Sequence, residues 1–264
     1  METIIKRIST RNYLDEELDQ HEQELVKNII DLENSAIFGH TFEVKLVDQK
    51  FMKKNKVKRI GTYGVITGKP NYMFAGIEND NQSLIDYGFV LEKMVLDLTE
   101  KDLQTCWLGG SFSRRTLFKL YKLSNELFIP AVVAIGKKSE KKSFVQNLMG
   151  SNYHNRMRFE EIYYDNKPYA PLNALTAGEY FEPLEAMRMA PSAMNGQPWR
   201  AVLEGDKLHF YCETTNMIKM KYVDMGIGFS HFDRLCTQKN IEGRWQLLDI
   251  PSTSKLQYII SYVK

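Results

Sequence analysis

Two short stretches of this chain combine residue types suited to binding chemistry, and the first is Arg7-Ile8-Ser9-Thr10-Arg11. Two guanidinium groups and a hydroxyl at alternating positions project to one side of an extended segment. Arginine suits a phosphate because its planar fork of N–H donors can bind two oxygens at once, and serine adds another donor. An Arg-x-Ser-x-Arg string is equally typical of a solvated surface segment, so the residue types alone leave both interpretations open.

The second stretch is Ala190-Pro191-Ser192-Ala193-Met194-Asn195-Gly196-Gln197-Pro198-Trp199, at the end of a predicted apolar helix. Proline ends a helix, and small residues allow the backbone to approach a flat ligand closely. The amides of Asn195 and Gln197 can both donate to and accept from a polar heterocycle. The alternative is an ordinary connection from helix to strand, with Trp199 packed in the core.

The elements that must position these stretches follow from hydrophobic periodicity. Helices are predicted within residues 1–35 and over Ile85–Leu103, Arg114–Leu127, Gly178–Met189 and Asp224–Lys239. Strands are predicted at Phe42–Val47, Ile129–Ile135, Arg200–Glu204, Lys207–Glu213 and Leu256–Val263, and the short runs Tyr63–Gly68 and Tyr72–Ile77 are predicted to be further strands or loop edges. From Lys141 to about Leu175 the chain is rich in Asn, Tyr and Lys and lacks periodicity, so residues 151–175 are predicted to be a linker. The predicted fold class is α+β.

Three pairs of matching segments, in the same order along the chain, indicate an internal repeat. The pairs are Asp86-x-Gly88 with Trp107 and Asp224-x-Gly226 with Trp245, in which each tryptophan lies 21 residues after its aspartate; Ser35–Phe42 with Ser192–Trp199; and the strand ends Ile135-Gly136-Lys137 and Tyr262-Val263-Lys264. We therefore predict two degenerate halves, residues 1–150 and 176–264, on either side of the linker. The alternative is coincidence between two stretches of similar composition.

Composition limits the classes of partner. The 264 residues include 35 basic and 33 acidic ones, for a net charge of +2, so nothing favours nucleic acid as the main partner. The three cysteines have no C-x-x-C spacing and the five histidines have no metal-ligand spacing, so neither a disulfide framework nor a metal site is predicted. No apolar window is long enough for a membrane span and the N-terminus lacks a signal peptide, so we expect a cytoplasmic protein without a membrane partner.

Four stretches resemble the nitroreductase family. APSAMNGQPW, at Ala190–Trp199, is very similar to the family signature A-P-S-x-x-N-x-Q-P-W, and Arg7–Tyr13 resembles the family opening R-R-S-x-R-x-[FY]. Asp86–Gly110 resembles the long helix and the Gly-Gly turn that follows it, and Ile129–Lys138 resembles the last core strand with basic residues beyond. The resemblance covers most of the chain and implies an α/β sandwich in which helices flank a mixed or antiparallel sheet.

The departures from the family pattern are complementary. In the first half, the segment aligned with P-S-x-x-N carries Phe38 in place of the amide, and in the second half, residues 166–169 lack an Arg-x-Ser-x-Arg opening. In the family, the flavin lies at the dimer interface, with the opening from one subunit and P-S-x-x-N from the other. The resemblance therefore implies a single chain that imitates the dimer, retains one of the two sites and is a monomer.

The resemblance also implies a site for flavin mononucleotide (FMN). The implied contacts are Arg7, Ser9 and Arg11 at the phosphate, Lys137 or Lys138 beside it, Pro191, Ser192, Ala193 and Asn195 along the ribityl chain and isoalloxazine, and backbone N–H groups around Gly109 and Gly110 near ring atoms N5 and O4. As phosphate contacts, Arg7 and Arg11 are expected near the surface rather than in the core. The lysines are equally compatible with a solvated run of charge over Lys137–Lys142.

The implied activity is that of an FMN oxidoreductase, which passes reducing equivalents from NADH or NADPH to a nitroaromatic, a quinone or a similar small acceptor. The cofactor would carry the chemistry, so no catalytic acid or base is predicted. Two alternatives stay open. One is a flavin- or nucleotide-binding protein of the same fold with little or no turnover, and the other is a scaffold that has lost the ligand.

Overall fold

The computed structural model describes residues 1–32, 35–61, 66–140, 155–166, 170–216 and 218–264. The α-helices are α1 (Glu2–Lys6), α2 (Gln20–Asp31), α3 (Gln49–Lys54), α4 (Asn81–Glu100), α5 (Arg114–Tyr121), α6 (Phe159–Ile162), α7 (Ala174–Ala177), α8 (Phe181–Met189) and α9 (Met220–Gln238). The strands are β1 (Lys45–Val47), β2 (Asn71–Phe74), β3 (Gln104–Leu108), β4 (Val132–Gly136), β5 (Tyr163–Asp165), β6 (Trp199–Glu204), β7 (Lys207–Glu213), β8 (Arg244–Gln246) and β9 (Leu256–Val263). Short 3-10 helices cover Gly178–Tyr180 and Ala193–Asn195.

The first four strands form an antiparallel sheet in the order β1-β2-β4-β3. The register places Tyr72 of β2 and Cys106 of β3 on either side of Ala134 of β4. Every residue of β4 is buried. A central strand covered on both faces is a continuous apolar run, which is why the sequence predicts it.

The other five strands form a mixed sheet in the order β5-β6-β7-β9-β8. β5 runs parallel to β6, with Tyr163 opposite Ala201, and the remaining pairs are antiparallel. A parallel pair needs a long crossover, and the chain between these two strands contains α7 and α8. The α+β class, with antiparallel and mixed strand pairing, is confirmed.

Helices α4 and α9 cross with their backbones in contact. Helix α4 belongs to the part of the chain that forms the first sheet, and α9 belongs to the part that forms the second. A Cβ atom added to Gly88 of α4 would lie 2.1 Å from the carbonyl oxygen of Val223, and one added to Gly226 of α9 would lie 1.9 Å from that of Ile85. Only glycine permits so close an approach, although it lowers the intrinsic stability of a helix. These two helices, one from each predicted half, therefore hold the two parts together.

Several predicted elements match the structure closely, including the short strands β6 and β7, of which β7 has the predicted bounds Lys207–Glu213. Ile85–Leu103 corresponds to α4, Asp224–Lys239 to α9, and Leu256–Val263 to β9 with the same bounds. The helix predicted over Arg114–Leu127 ends at Tyr121, because Lys122 adopts a left-handed conformation (φ 49°).

Part of the predicted linker is ordered secondary structure, which corrects that prediction. Residues 159–165 form α6 and β5, because Ile162 and Tyr163 are fully buried and Tyr163 pairs with β6. Residues 151–154 and 167–169 of the same stretch lie outside the described residues, as do 62–65 of the strand or loop edge predicted at Tyr63–Gly68. Strand β3 is not predicted, since its five residues mix polar and apolar types.

No helix in the described ranges is both long enough and apolar enough to cross a membrane.

Candidate functional site

The Arg7–Arg11 stretch follows α1 and lies along the edge strand of the first sheet. Ser9 forms a parallel bridge with Thr105 of β3, and the Thr10 N–H donates to the Thr105 carbonyl over 2.9 Å. Further along, the Leu14 N–H donates to the Lys137 carbonyl over 3.0 Å. The backbone is therefore extended and held by hydrogen bonds, as the sequence predicts.

Arg7 is in the core, which corrects the expectation of a surface position. Only 2% of the residue is exposed, and its Nε lies 4.0 Å from Oε1 of Glu92, whose side chain is fully buried. A buried guanidinium needs a partner of opposite charge, and Glu92 supplies it from the middle of α4. Arg7 is therefore a structural residue as well as a candidate phosphate contact.

Arg11 differs from Arg7 in its surroundings. It is half-buried, and its Nε is inaccessible to solvent with no hydrogen-bond partner within the described ranges. Burial raises the pKa of the Cys106 thiol, and the positive charges of Arg11 and Arg7 oppose that rise. Both guanidiniums are thus close enough to the same strand, β3, to act on one thiol. An unsatisfied buried donor on a cation is a feature that an anionic ligand would satisfy.

A buried polar cluster, which sequence reasoning missed, surrounds Glu92. Its Oε2 accepts from the Trp107 indole N–H over 2.6 Å, and its Oε1 lies 2.8 Å from Nε2 of His231 on α9. Nδ1 of His231 lies 3.1 Å from the carbonyl oxygen of Ala186 on α8. The sequence did carry a signal for this cluster: Glu92 and His231 are placed among the apolar residues of two predicted helices. Carboxylates and imidazoles are rarely buried without partners, so the two could have been expected to pair.

The loop of the second stretch, Ser192–Gln197, has a strained backbone. Met194, Asn195 and Gln197 have positive φ values of 53°, 58° and 44°, a region that residues with side chains rarely adopt. The hydrogen bonds that hold the loop include those from the Ala193 N–H to the Asp224 carboxylate over 3.0 Å and from the Gln197 N–H to Ser192 Oγ over 3.0 Å. Clusters of such strained residues are typical of ligand-binding loops.

The two amides of this loop are engaged by residues 155–157. Asn195 Nδ2 donates to the Asn155 carbonyl over 2.8 Å, and its Oδ1 accepts from Arg156. Gln197 Oε1 accepts from the Met157 N–H over 2.8 Å. Trp199 is fully buried in the core, as the alternative interpretation of this stretch proposed. Pro191 and Ser192 are half-buried between α8 and the loop.

The two lysines after β4 have different surroundings. Lys137 Nζ lies 3.0 Å from Glu22 and 3.5 Å from Glu16, and the hydrogen bond to Glu22 raises the pKa of Lys137. Lys138 is exposed. The positive charge of Lys137 is thus already paired at the start of α2, and Lys138 matches the solvated alternative.

The Gly109–Gly110 turn follows β3. The Gly109 carbonyl accepts from Arg114 over 3.0 Å, and a Cβ added to Gly109 would lie 3.3 Å from the Met220 side chain at the start of α9. A Cβ added to Gly110 would meet no atom within 4 Å. The turn therefore has open space at its second glycine.

The stretches are connected through side chains of both parts of the chain. Arg7 faces Glu92, which contacts His231, and His231 bonds to the carbonyl of Ala186 in α8. At the end of α8, Arg156 donates to the Met189 carbonyl over 3.1 Å and also to Asn195 Oδ1. Polar contacts from the Arg7 side and from the Asn195 side thus reach the same helix, α8, at the carbonyls of Ala186 and Met189.

Two other features bear on the choice of ligand. A groove of about 470 Å³ lies between α2 and Lys101, and no predicted FMN contact lines it. Within the described ranges, no group of His, Cys, Asp and Glu side chains is arranged to hold a metal ion.

The family model described as "Putative TM nitroreductase" matches residues 1–235. The crystal structure of a "putative nitroreductase" from Thermotoga maritima MSB8 is 20% identical and aligns over 99% of this chain and 92% of its own, with a TM-score of 0.66. At that identity, the likeness shows the fold.

More distant matches include an FMN-dependent nitroreductase from Clostridium difficile R20291, at 16% identity over 60% of this chain and 99% of its own, with a TM-score of 0.40. A nitroreductase with bound FMN from Bacteroides fragilis NCTC 9343 is 18% identical over 53% of this chain and 89% of its own, with a TM-score of 0.40. No curated protein matches the sequence.

Proposed function

This chain belongs to the nitroreductase family, and on that premise we propose that it is an FMN-dependent oxidoreductase. The observation that carries the proposal is Arg11, whose buried Nε has no hydrogen-bond partner within the described ranges. It lies on the same extended segment as Ser9, beside the strand that ends at the Gly109–Gly110 turn. Relatives that carry FMN, or depend on it, point to the same cofactor.

The residues fit a phosphate at one end of β3 and a ring at the other. Arg11 and Ser9 would hold the phosphate, and Gly110 would present its backbone N–H to the ring. A strand rises about 3.3 Å per residue, so Thr105 and Gly109 lie ~13 Å apart, which suits an extended mononucleotide. When bound, FMN supplies hydride and electron transfer, here between NADH or NADPH and a nitroaromatic, quinone or similar acceptor.

We further propose that the chain is a duplicated, monomeric form of the family dimer, with halves at 1–150 and 176–264. A related contact in each half supports this arrangement, although the two contacts use different positions of the aligned loops. Asp86 accepts from the Phe38 N–H over 2.9 Å, and Asp224 accepts from the Ala193 N–H over 3.0 Å, so each aspartate binds the loop that the repeat assigns to its own half. Sedimentation should give a monomer, and a tight homodimer would contradict the duplication.

A second candidate function is a flavin- or nucleotide-binding protein with little turnover. It is favoured by the surroundings of Asn195, whose amide already binds Asn155 and Arg156, and of Lys137, which is already paired with Glu22. With fewer free hydrogen-bond donors, the protein would bind the cofactor more weakly and would influence the reduction of the cofactor less.

The experiment that tests the proposal is titration of the purified protein with FMN at pH 7, followed by anaerobic NADH or NADPH. We expect binding, and bleaching of the flavin absorbance by the reduced nicotinamide. Arg11→Ala should raise the Kd for FMN about tenfold or more, because a charge-assisted hydrogen bond contributes about 1.5–3 kcal/mol. The control is Arg244→Ala, at an exposed arginine of β8.

The possible results separate the candidates. If FMN binds but NADH and NADPH do not bleach its absorbance, the result would support the second candidate function, a flavin-binding protein with little turnover. Equal FMN affinity in Arg11→Ala and the unaltered protein would refute the assigned phosphate site. Failure of the unaltered protein to bind FMN would refute the cofactor proposal itself.

A further inference from the structure

Arg114, which sequence reasoning does not single out, makes an unusual set of contacts beside the Gly109–Gly110 turn. Its Nε donates to the Ile129 carbonyl over 2.8 Å, and its Nη2 donates to the carbonyls of Gly109 and Pro130 over 3.0 and 2.9 Å. The guanidinium also lies over two aromatic rings, 4.5 Å from the centroid of Phe112 and 5.4 Å from that of Phe128.

The position of Arg114 in its helix is unfavourable in itself. It is the first residue of α5, after the N-cap Ser113, where the helix dipole disfavours a positive charge. Burial also lowers the pKa of Arg114. A cation held at the wrong end of a helix and partly withdrawn from water must be stabilised by its contacts, and here these are three carbonyls and two rings.

One of those carbonyls determines the direction of the next N–H group. Peptide bonds are planar, and no cis bond occurs in the described ranges, so the Gly109 carbonyl and the Gly110 N–H point in opposite directions. Because Arg114 holds the carbonyl, the N–H is directed away from Arg114. In the described part of the chain the Gly110 N–H makes no hydrogen bond, and the space where its Cβ would lie is open to 4 Å.

We propose that Arg114 is a positioning residue, which orients the Gly109–Gly110 peptide so that the Gly110 N–H donates to the O4 edge of the flavin ring. This rests on the proposed function. An oriented donor aimed at developing negative charge stabilises the reduced ring more than the oxidised one. Arginine is required because its planar fork of N–H donors binds the Gly109 carbonyl together with those of Ile129 and Pro130 while stacking on an aromatic ring.

The corresponding position of the other half lacks this device. Shifted by the 138 residues that separate Asp86 from Asp224, Gly109-Gly110 falls on Leu247-Leu248 and Arg114 falls on Ser252. The arginine is thus present where the Gly-Gly turn is present and missing where the turn is missing. That agrees with a single retained site.

The test compares Arg114→Lys, which keeps the charge, with Arg115→Lys, at the exposed neighbouring arginine. Kd for FMN, the visible flavin spectrum and the midpoint potential are measured on each protein with FMN bound. For Arg114→Lys we expect less than a threefold change in Kd, because Arg11 and Ser9 hold the phosphate. We also expect a shifted spectrum and a tenfold loss of preference for reduced FMN, or about 30 mV for a two-electron couple. Arg115→Lys should match the unaltered protein.

A second variant covers the case in which Arg114→Lys does not fold. Gly110→Pro removes the N–H while Arg114 stays in place, and Gly110→Ala shows the effect of an added Cβ alone. Gly110→Pro should reproduce the change in potential. An unchanged spectrum and potential in Arg114→Lys or Gly110→Pro, with FMN bound, would overturn this inference alone. Failure of the unaltered protein to bind FMN would overturn the proposed function and this inference together.

Discussion

Nε2 of His231 lies 2.8 Å from Oε1 of Glu92, while Nδ1 of the same ring lies 3.1 Å from the Ala186 carbonyl oxygen, and both side chains are fully buried. A carbonyl only accepts, so Nδ1 carries a proton. The contact between Nε2 and Oε1 then requires a second proton, on the imidazole or on the carboxyl. This buried pair thus joins helix α9 to helix α4.

His231→Ala should destabilise the protein by ~3–5 kcal/mol, because removing one member of a buried pair leaves the other without its partner. Urea denaturation at pH 7 measures the free energy of unfolding. The control is Glu179→Gln, which breaks the exposed pair with Lys264 and should cost at most ~1 kcal/mol. Equal losses in the two variants would show that the buried pair has no special role.

Asp224 should make the protein less stable as pH rises from about 4 to 7. Burial raises the pKa of Asp224 to about 7, and the Ala193 N–H and Lys221 only partly oppose that rise. The folded state therefore binds a proton that the unfolded state releases near its ordinary pKa, so stability is lost up to the folded pKa and then levels off.

Asp224→Asn keeps an acceptor for the Ala193 N–H and removes the titration. Its unfolding free energy should fall less between pH 5 and pH 8 than that of the unaltered protein, by ~2–3 kcal/mol, because only the two pH units up to the folded pKa of about 7 contribute in that window. Urea denaturation at the two pH values gives the comparison. An identical pH dependence in both proteins would exclude Asp224 as the titrating group.

Gly88→Ala and Gly226→Ala should each cost ~3 kcal/mol or more, because the added methyl group would meet backbone of the opposite helix about 2 Å away and force α4 and α9 apart. If the halves are related by duplication, the two losses should be similar. The matched control is Gly61→Ala, whose Cβ would make ordinary contacts at 3.5 Å and beyond. Thermal unfolding measures all three variants, and a small effect at either helix glycine would contradict the close crossing.

Arg7→Ala should reduce stability by ~2–4 kcal/mol, because it leaves a cavity and removes a cation that faces the buried Glu92. Arg11→Ala should change stability by less than ~1 kcal/mol, since the Arg11 Nε has no partner to lose in the described part of the chain. Urea denaturation without FMN distinguishes the two. If both variants were equally stable, Arg7 would not have the structural role that its burial indicates.

How far the sequence predicts an element depends on how clearly its residues show a helical period or a run of apolar residues. The periodicity of α4 and α9 extends over several turns, and β9 is an eight-residue run of mostly apolar residues, so all three can be recognised. Strands β3 and β5 have only five and three residues, and their extended conformation depends on pairing with sheet neighbours that are distant in sequence. Tyr163 pairs with Ala201, for example, across the whole of α7 and α8.

The sequence by itself determined the family, through the Arg7–Arg11 and Ala190–Trp199 stretches, and the chemical types at the candidate site. Only the tertiary structure decided which of those groups are already satisfied. Glu92 approaches Arg7 and Arg114 holds Gly109, whereas Arg11 keeps a buried donor unpaired within the described ranges. The physical reason is that a side chain's charge is encoded locally, while its burial and its partners come from elements that only folding brings together.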